Sequence, residues 1–167
     1  MRNLSKNELI ERSILKKYRK VLWTPFVSAI KKYHLIEKDD KIAVCISGGK
    51  DSLLLAKLMV LLKRITEVPF EIMFIAMDPG YSEKNLQKLK DNLELLENDA
   101  HFFKTDIFAV ASWVAKSPCY LCARMRRGYL YSKAKELGAN KIALGHHMSD
   151  VIETTLMGML YGGQIQG

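Results

Sequence analysis

The fold follows from the stretch Ile42-Ala-Val-Cys-Ile-Ser-Gly-Gly-Lys-Asp-Ser52. Its first part, residues 42–46, is an unbroken apolar run typical of a buried strand, and the leucines after Ser52 predict an apolar helix. Gly48 and Gly49 between them let the backbone turn sharply and approach a ligand without a side-chain clash. Because the amides of a helix N-terminus favour an anion, the loop 47–52 is predicted to bind phosphate.

Strand and helix patterns alternate along the rest of the chain. Predicted strands cover residues 41–46, 70–77, 100–105 and 141–145, and predicted helices cover residues 51–64, 83–97, 108–116, 118–137 and 151–160. This alternation predicts an α/β fold in which a parallel sheet carries helices on both faces, a Rossmann-like three-layer arrangement. Ligands of such folds bind beyond the carboxyl ends of the strands, where the loop 47–52, Asp78 and Gly145 lie.

Residues 1–40 are predicted to form a basic helical segment ahead of a catalytic domain at residues 41–167. Ser5 and Glu8 have the spacing of a capping box. Pro25 is expected to break or restart the helix, with Thr24 as the new N-cap. The segment supplies +5 of the net charge of +8. That excess suits a polyanionic partner such as nucleic acid, although a solvated helix face explains it slightly more simply.

Composition indicates a globular protein of the cytoplasm. The hydrophobic fraction is 49% and the charged fraction 26%, as in ordinary globular domains. No apolar run approaches the roughly 20 residues of a membrane span, and the N-terminus lacks the pattern of a signal peptide. Three cysteines without an export signal argue for a reducing compartment and against a disulfide framework.

The phosphate loop and the residues after the fourth strand carry the predicted catalytic groups. Lys50 can neutralise phosphate charge, and Asp51 can hold Mg²⁺ against it. The hydroxyls of Ser47 and Ser52 can donate to phosphate oxygens. In Gly145-His-His-Met-Ser-Asp150, the carboxylate of Asp150 is a candidate second Mg²⁺ ligand.

Three further assignments concern the same edge of the sheet. Ser149 is expected to cap the last helix. A pair of histidines such as His146 and His147 is by itself more often structural, but facing this loop a functional role is favoured. Asp78 ends the second strand, where the adenine or ribose of a nucleotide would lie.

Cys119 and Cys122 are separated by two residues at a predicted helix start. Two thiolates at this spacing suit zinc, an iron–sulfur cluster or a dithiol redox pair, and unliganded cysteines are the bland alternative. Three arginines follow, which concentrate positive charge as contacts with an RNA backbone require. They are Arg124, Arg126 and Arg127. Cys45, inside the first strand, is interpreted as a small buried hydrophobe.

The loop lacks the GxxxxGK[ST] pattern of the Walker motif and resembles the pyrophosphatase-type P-loop (PP-loop), found in enzymes that cleave ATP between its α and β phosphates. The motifs SGGKDS, PCxxCxRxRRGxL and GHHxxD, in this order, resemble the tRNA 2-thiocytidine synthetase family. The resemblance covers nearly the whole chain from about residue 40.

The resemblance implies an adenine-nucleotide α-hydrolase-like fold and ATP-dependent thiolation of a cytidine in the tRNA anticodon loop. Its implied cofactors are ATP, Mg²⁺ and a 4Fe–4S cluster held by three cysteines, two of them Cys119 and Cys122. Its implied partners are tRNA and a cysteine desulfurase, and a homodimer is a further expectation. The implied catalytic residues are Lys50, Asp51 and Asp150. The implied nucleotide-binding residues are Ser47, Gly48, Gly49, Lys50, Asp51, Ser52, Asp78, Gly145 and His146.

Two features depart from the family. The sequence has Ser149 where the family has the first of two aspartates, and the family's third cluster cysteine lies beyond the last motif. We therefore expect the sequence to be a fragment truncated at its C-terminus. Two other functions stay open: a PP-loop ATP pyrophosphatase that modifies another tRNA base, and a nucleotide-binding module with a structural metal at the cysteine pair.

Overall fold

The computed structural model describes residues 3–78, 80–105, 107, 118–163 and 165, with only the backbone of residues 118–123. The helix predicted at residues 108–116 lies outside this part of the chain. The described strands are β1 (Lys41–Ile46), β2 (Glu71–Asp78), β3 (Ala100–Lys104) and β4 (Lys141–Ala143). The described α-helices are α1 (Lys6–Arg12), α2 (Thr24–Lys32), α3 (Lys50–Ile65), α4 (Glu83–Leu95), α5 (Pro118–Glu136) and α6 (Met148–Gly162).

The four described strands form one parallel sheet in the order β3-β2-β1-β4, which confirms the predicted fold class. In β1, Ile42 pairs with Ile72 on one side and with Lys141 on the other. The chain runs outward from β1 to β3 and then returns to place β4 on the opposite side of β1. This reversal of strand order opens a crevice beyond the carboxyl ends of β1 and β4, which is the usual ligand position in open α/β sheets.

Strand β1 is buried on both faces, which explains its unbroken apolar sequence. Ile42, Val44 and Ile46 belong to a core that includes residues of α3 and α4. Ala43 and Cys45 point the other way, into a core with residues of α5. Helices therefore cover both faces of the sheet, as predicted. Cys45 is 6% exposed, and burial raises the pKa of its thiol to about 12, so the interpretation as a small buried hydrophobe is confirmed.

The N-terminal helices differ from expectation at the proline. The capping box is present, since Glu8 donates its backbone N–H to Ser5 Oγ at 3.1 Å and its carboxylate accepts the Ser5 N–H at 2.8 Å. The chain stays helical through Pro25, so no break occurs there, although an α-helix does start anew at Thr24 with Pro25 in its first turn. Thr24 is not the N-cap, because its φ of −62° and ψ of −48° are both helical, whereas the N-cap Ser5 has an extended ψ of 163°.

The stretch before Pro25 is π-helical. Two such segments, Ser13–Lys17 and Arg19–Trp23, flank Tyr18. Pro25 follows them in the first turn of α2, where a missing backbone N–H costs little. The sequence therefore passes the proline without ending the helix.

A buried ion pair attaches the N-terminal helices to the sheet. Lys57 Nζ in α3 lies 2.9 Å from Glu11 Oε1, and only 2% of the Lys57 side chain is exposed. Arg64 contacts the same carboxylate at 2.9 Å. Burial alone would raise the pKa of Glu11, but the hydrogen bonds and charges of Lys57 and Arg64 outweigh it and lower that pKa. Since Ile14 and Trp23 also join the core around β1, the segment packs on the sheet. The boundary at residue 40 stays a prediction.

The amino ends of the strands are tied together by Asp40. Its carboxylate accepts from Lys141 at 2.8 Å, from the Asn140 amide at 2.8 Å and from the Glu37 N–H at 2.6 Å. The hydrogen bond from Lys141, followed by that from Glu37, lowers the pKa of Asp40 to about 2. This closure joins β1 to β4 at the end of the sheet opposite the crevice.

Helix α6 is apolar yet packs few of its side chains. None of its residues is buried. Its large apolar side chains at least half exposed are Met148, Val151, Ile152, Leu156, Met157, Met159, Leu160 and Tyr161. Within the described residues, no helix is both long and apolar enough to cross a membrane.

We predict that Glu11→Gln lowers the free energy of unfolding by about 3 kcal/mol, because it leaves the Lys57 ammonium buried without a counter-charge. The double variant Glu11→Leu, Lys57→Met should recover most of that loss, since it removes both charges. Urea denaturation followed by circular dichroism measures both.

The matched control is Glu71→Gln, which removes the exposed pair with Lys41 at 3.3 Å and should change the free energy of unfolding by less than about 1 kcal/mol. A loss for Glu11→Gln no larger than that of the control would contradict a structural role for the buried pair.

Candidate phosphate-binding site

Hydrogen bonds of its own serine side chains fix the shape of the loop between β1 and α3. Gly48 has φ +83°, a left-handed conformation that glycine adopts without strain. Ser52 Oγ donates to the Gly49 carbonyl at 2.9 Å and accepts from the Ser47 N–H at 3.2 Å and the Ser47 hydroxyl at 3.1 Å. Both serine hydroxyls thus donate within the loop, which fixes its shape. Their predicted donation to phosphate stays a prediction.

A cavity of about 320 Å³ lies in the crevice between the ends of β1 and β4, within the size range of small-molecule sites. Three groups of residues line it. The phosphate loop supplies Ser47, Gly49, Asp51 and Ser52; α5 supplies Arg126, Arg127, Leu130 and Tyr131; the end of β4 supplies Leu144, Gly145 and His146, above a floor of Cys45, Ile46 and Met77. The cavity therefore combines an apolar floor with anion-binding groups on facing walls.

Gly145 lets the end of β4 touch the start of α3. A Cβ atom at this position would lie 2.9 Å from Ser52 N, 3.0 Å from Ser52 Cα and 3.1 Å from Asp51 C. All three are backbone atoms, so no side-chain rotation could relieve the clash. The absence of a side chain at Gly145 sets the width of the crevice.

Asp51 is the most constrained ionisable group at the mouth of the cavity. Its carboxylate accepts from Lys50 Nζ at 2.8 and 2.9 Å and lies 3.0 Å from His147 Nε2. The hydrogen bond from Lys50, followed by that from His147, lowers its pKa. Asp51 is thus held as a carboxylate in a fixed orientation.

His147 connects Asp51 to Asp150. Its backbone N–H donates to the Asp150 carboxylate at 2.7 Å, and its extended backbone makes it the N-cap of α6. The cap expected from Ser149 is therefore wrong, because α6 begins one residue before it, at Met148. His147 had no individual role among the predictions from the sequence. The only signal was its place directly after a strand that faces the phosphate loop.

The other predicted residues lie at different distances from the cavity. Lys50 points to solvent, with 84% of its side chain exposed. Asp78 holds its own turn instead, since its carboxylate accepts from the N–H groups of Gly80 at 2.9 Å and Tyr81 at 2.7 Å. Asp150 does not line the cavity and is linked to it through His147 and Asp51.

The arginines and the cysteine pair share α5. Arg126 and Arg127 line the cavity, whereas Arg124 is exposed and does not. Cys119 and Cys122 lie in the first two turns of the same helix, one helical turn apart, and their side chains are outside the described part. The backbone spacing places both residues on one face of α5, which fits two ligands of one metal group.

The carboxylate donors at this mouth are of the type that Mg²⁺ takes. Mg²⁺ in nucleotide sites is held by one or two carboxylates and completes its shell with phosphates and water. Asp51 and Asp150, both bonded to His147, supply two such carboxylates. Among the described side chains no set of three metal-binding residues is present, so the remaining ligands would have to come from phosphate and water.

The family model described as the PP-loop domain matches residues 21–167. The chain belongs to the PP-loop domain family. The resemblance to the 2-thiocytidine synthetases is also confirmed by named relatives. The tRNA-cytidine(32) 2-sulfurtransferase of Aliivibrio fischeri (strain MJ11) is 40% identical over 147 residues, which cover 84% of this chain and 47% of the relative.

A second relative is tRNA-cytidine(32) 2-sulfurtransferase 1 of Francisella tularensis subsp. novicida (strain U112). It is 38% identical over 162 residues, covering 93% of this chain and 60% of its own. The chain thus spans about half the length of the curated relatives it matches.

Among solved structures, the U34-tRNA thiolase NcsA from Methanococcus maripaludis with its [4Fe-4S] cluster has the same fold. The TM-score is 0.65 at 20% identity, and the superposition covers 82% of this chain and 50% of that one. At this identity the likeness supports the PP-loop α/β fold alone.

We predict that Gly145→Ala lowers the free energy of unfolding by about 1–3 kcal/mol, because the added methyl group forces β4 and α3 apart. Thermal and urea denaturation measure the loss. The control is Gly128→Ala in α5, where a Cβ meets nothing within 4 Å; it should raise stability by up to about 1 kcal/mol. Equal effects of the two substitutions would show that the close approach is not constraining.

Proposed function

We propose that the chain is the ATP-binding part of an enzyme that converts a cytidine of the tRNA anticodon loop to 2-thiocytidine. One observation carries the proposal: α5 brings Arg126 and Arg127 to the cavity that the phosphate loop also lines, and the same helix begins with Cys119 and Cys122. A nucleotide site and a cysteine pair are thereby joined by one rigid element. The names of the matched tRNA-cytidine(32) 2-sulfurtransferases support tRNA as the substrate.

The first step is adenylation of the base. ATP binds with its phosphates on the amides of the loop 47–52. The cytidine 2-oxygen attacks the α-phosphorus, an oxygen–phosphorus bond forms, and the bond to the bridging oxygen breaks as pyrophosphate leaves. The negative charge that develops on the leaving group is stabilised by Lys50 and by the loop amides. Persulfide sulfur, reduced to the sulfide level by two electrons from a thiol reductant, then attacks C2; a carbon–sulfur bond forms, the C2–oxygen bond breaks, and AMP leaves with that oxygen.

The residues around Asp51 prepare the site for this step. Mg²⁺, when bound at Asp51 and Asp150, would neutralise phosphate charge. His147 holds the Asp51 carboxylate at 3.0 Å and positions Asp150 through its backbone N–H. Lys50, now paired with Asp51, is exposed enough to turn toward a phosphate.

Arg126 and Arg127 extend positive charge across the cavity, where the anticodon loop must place its base. Arg124, exposed on the same helix, would contact the RNA backbone outside the cavity.

An iron–sulfur cluster held in part by Cys119 and Cys122 would present sulfur to the activated base. A cysteine desulfurase would supply that sulfur in the cytoplasm. A homodimer remains part of the proposal.

We predict that 2-thiocytidine disappears from the tRNA of the source organism when the gene is deleted, and that it returns with the wild-type gene but not with Asp51→Asn. That variant keeps the shape of the side chain and removes the charge that Lys50 and His147 hold. Mass spectrometry of tRNA nucleosides measures the product. Asp91→Asn, an exposed carboxylate bonded only to Gln87 among the described contacts, is the matched control and should restore the nucleoside fully.

Two outcomes decide between this function and its alternatives. Unchanged 2-thiocytidine in the deletion strain, with loss of a different modified nucleoside, would assign the chain to another tRNA-modifying PP-loop enzyme. An unchanged nucleoside profile together with ATP binding would favour a nucleotide-binding module. Either result would overturn the proposal.

We also predict that, in the full-length protein, Cys119→Ser or Cys122→Ser abolishes iron binding while ATP binding stays within about twofold, since the phosphate loop is a separate element. Iron and acid-labile sulfide are measured after anaerobic purification. Cys45→Ala is the control, because a thiol buried in β1 should contribute nothing to iron binding. One equivalent of zinc in place of iron would give the cysteine pair a structural role.

A further inference from the structure

The N-terminal helices carry most of the net positive charge of the chain. Residues 3–36 contain eight Lys or Arg and two Glu, a net charge of +6 within a chain of net charge +8. All eight basic residues are exposed: Lys6, Arg12, Lys16, Lys17, Arg19, Lys20, Lys31 and Lys32. These helices pack with α3 on one face of the sheet, while α5 with Arg126 packs on the other. The charge is therefore separate from the arginines of the cavity.

The run 16–21 stands away from the core. Its six residues are all exposed, whereas a helix packed along its whole length buries a residue in nearly every turn. The run spans the junction of the two π-helical segments at Tyr18, whose φ of −101° and ψ of 13° interrupt the helix. Such π segments recur at functional sites. At this irregular junction four lysine and arginine side chains are exposed together with Tyr18.

The neighbouring acid Glu11 does not neutralise this charge. Glu11 turns inward to Lys57 and Arg64. Among the described residues, none of the four lysine and arginine side chains at 16–20 forms an ion pair. One of them contacts an aromatic ring: Lys17 Nζ lies 5.1 Å from the centre of the Tyr18 ring. Lys32 and Tyr33 repeat this arrangement, again at 5.1 Å.

Two exposed aromatic rings thus lie among exposed lysine and arginine side chains. Tyr18 is 40% exposed and Tyr33 is 62% exposed. An RNA-binding surface typically combines lysines and arginines, which contact phosphates, with aromatic rings, which can stack on unpaired nucleobases.

We propose that this surface, residues 16–20 with Lys31, Lys32 and Tyr33, binds the backbone of tRNA as a second contact away from the phosphate loop. The inference rests on the proposed function, since it takes tRNA as the substrate. Each lysine or arginine that meets a phosphate releases counterions, so affinity falls with rising salt in proportion to the number of contacts.

The test compares two variants of the chain with equal charge loss. The surface variant carries Lys16→Gln, Lys17→Gln, Arg19→Gln and Lys20→Gln. The control variant carries Lys63→Gln, Lys84→Gln, Lys104→Gln and Lys135→Gln, four lysines that are also exposed and are spread over other elements. Far-UV circular dichroism and the unfolding midpoint establish that both variants fold. Fluorescence anisotropy then measures the affinity for tRNA between about 50 and 200 mM salt.

The surface variant should bind tRNA at least about tenfold more weakly at low salt, and the slope of log affinity against log salt should fall by about one unit for each lost phosphate contact. The control variant should keep the wild-type slope within about one unit. Equal losses in the two variants would show that only net charge matters and would overturn the inference.

The failure of this inference can be told apart from failure of the proposed function. If the wild-type chain binds tRNA and the surface variant binds it equally well, the second contact is wrong and the proposed function stands. If the wild-type chain binds no tRNA at low salt, both fall. Vesicles with anionic phosphatidylserine are the remaining probe: loss of vesicle binding in the surface variant, with tRNA binding unchanged, would assign the surface to a membrane and overturn the inference.

Discussion

The approach of Gly145 to the peptide between Asp51 and Ser52 is the contact on which the candidate site depends. It joins the end of β4 to the start of α3, two elements that the reversed strand order places side by side. The ion pair of Asp40 with Lys141 holds the opposite ends of β1 and β4 together. An ion pair thus joins β1 and β4 at one end of the sheet. At the other end the backbone after β4 packs directly on the start of α3, and a crevice for a ligand remains beside this contact.

Electrostatics at the crevice follow from this geometry. With β4 against α3, His147 can reach the Asp51 carboxylate and Asp150 can accept the His147 N–H. The charge of Asp51 is balanced locally by Lys50, and His147 lies 3.0 Å from the same carboxylate. A phosphate that enters would compete with Asp51 for Lys50, and the amides of the loop and the arginines of α5 would share its charge.

Local features of the site could be predicted from the sequence, whereas distant contacts could not. The strand β1 and its loop were predictable because a strand buried on both faces is apolar throughout and glycines occupy the turn. The contact of His147 with Asp51 joins residues far apart in sequence and exists only because β4 lies beside β1. The position of Arg126 and Arg127 in the cavity wall depends on the rotation of α5, which a helix of mixed polarity does not reveal. The π-helical segments before Pro25 could not be predicted, because propensities give no signal for such turns.

The apolar surface of α6 has a chemical consequence. Met148, Met157 and Met159 are 74%, 61% and 51% exposed there, whereas Met59 and Met77 in the core are 2% and 4% exposed. Oxidants convert accessible thioethers to polar sulfoxides. Peroxide would therefore oxidise the methionines of α6 first and leave those in the core of the sheet intact. Preparations of the protein can then differ in the polarity of this one helix.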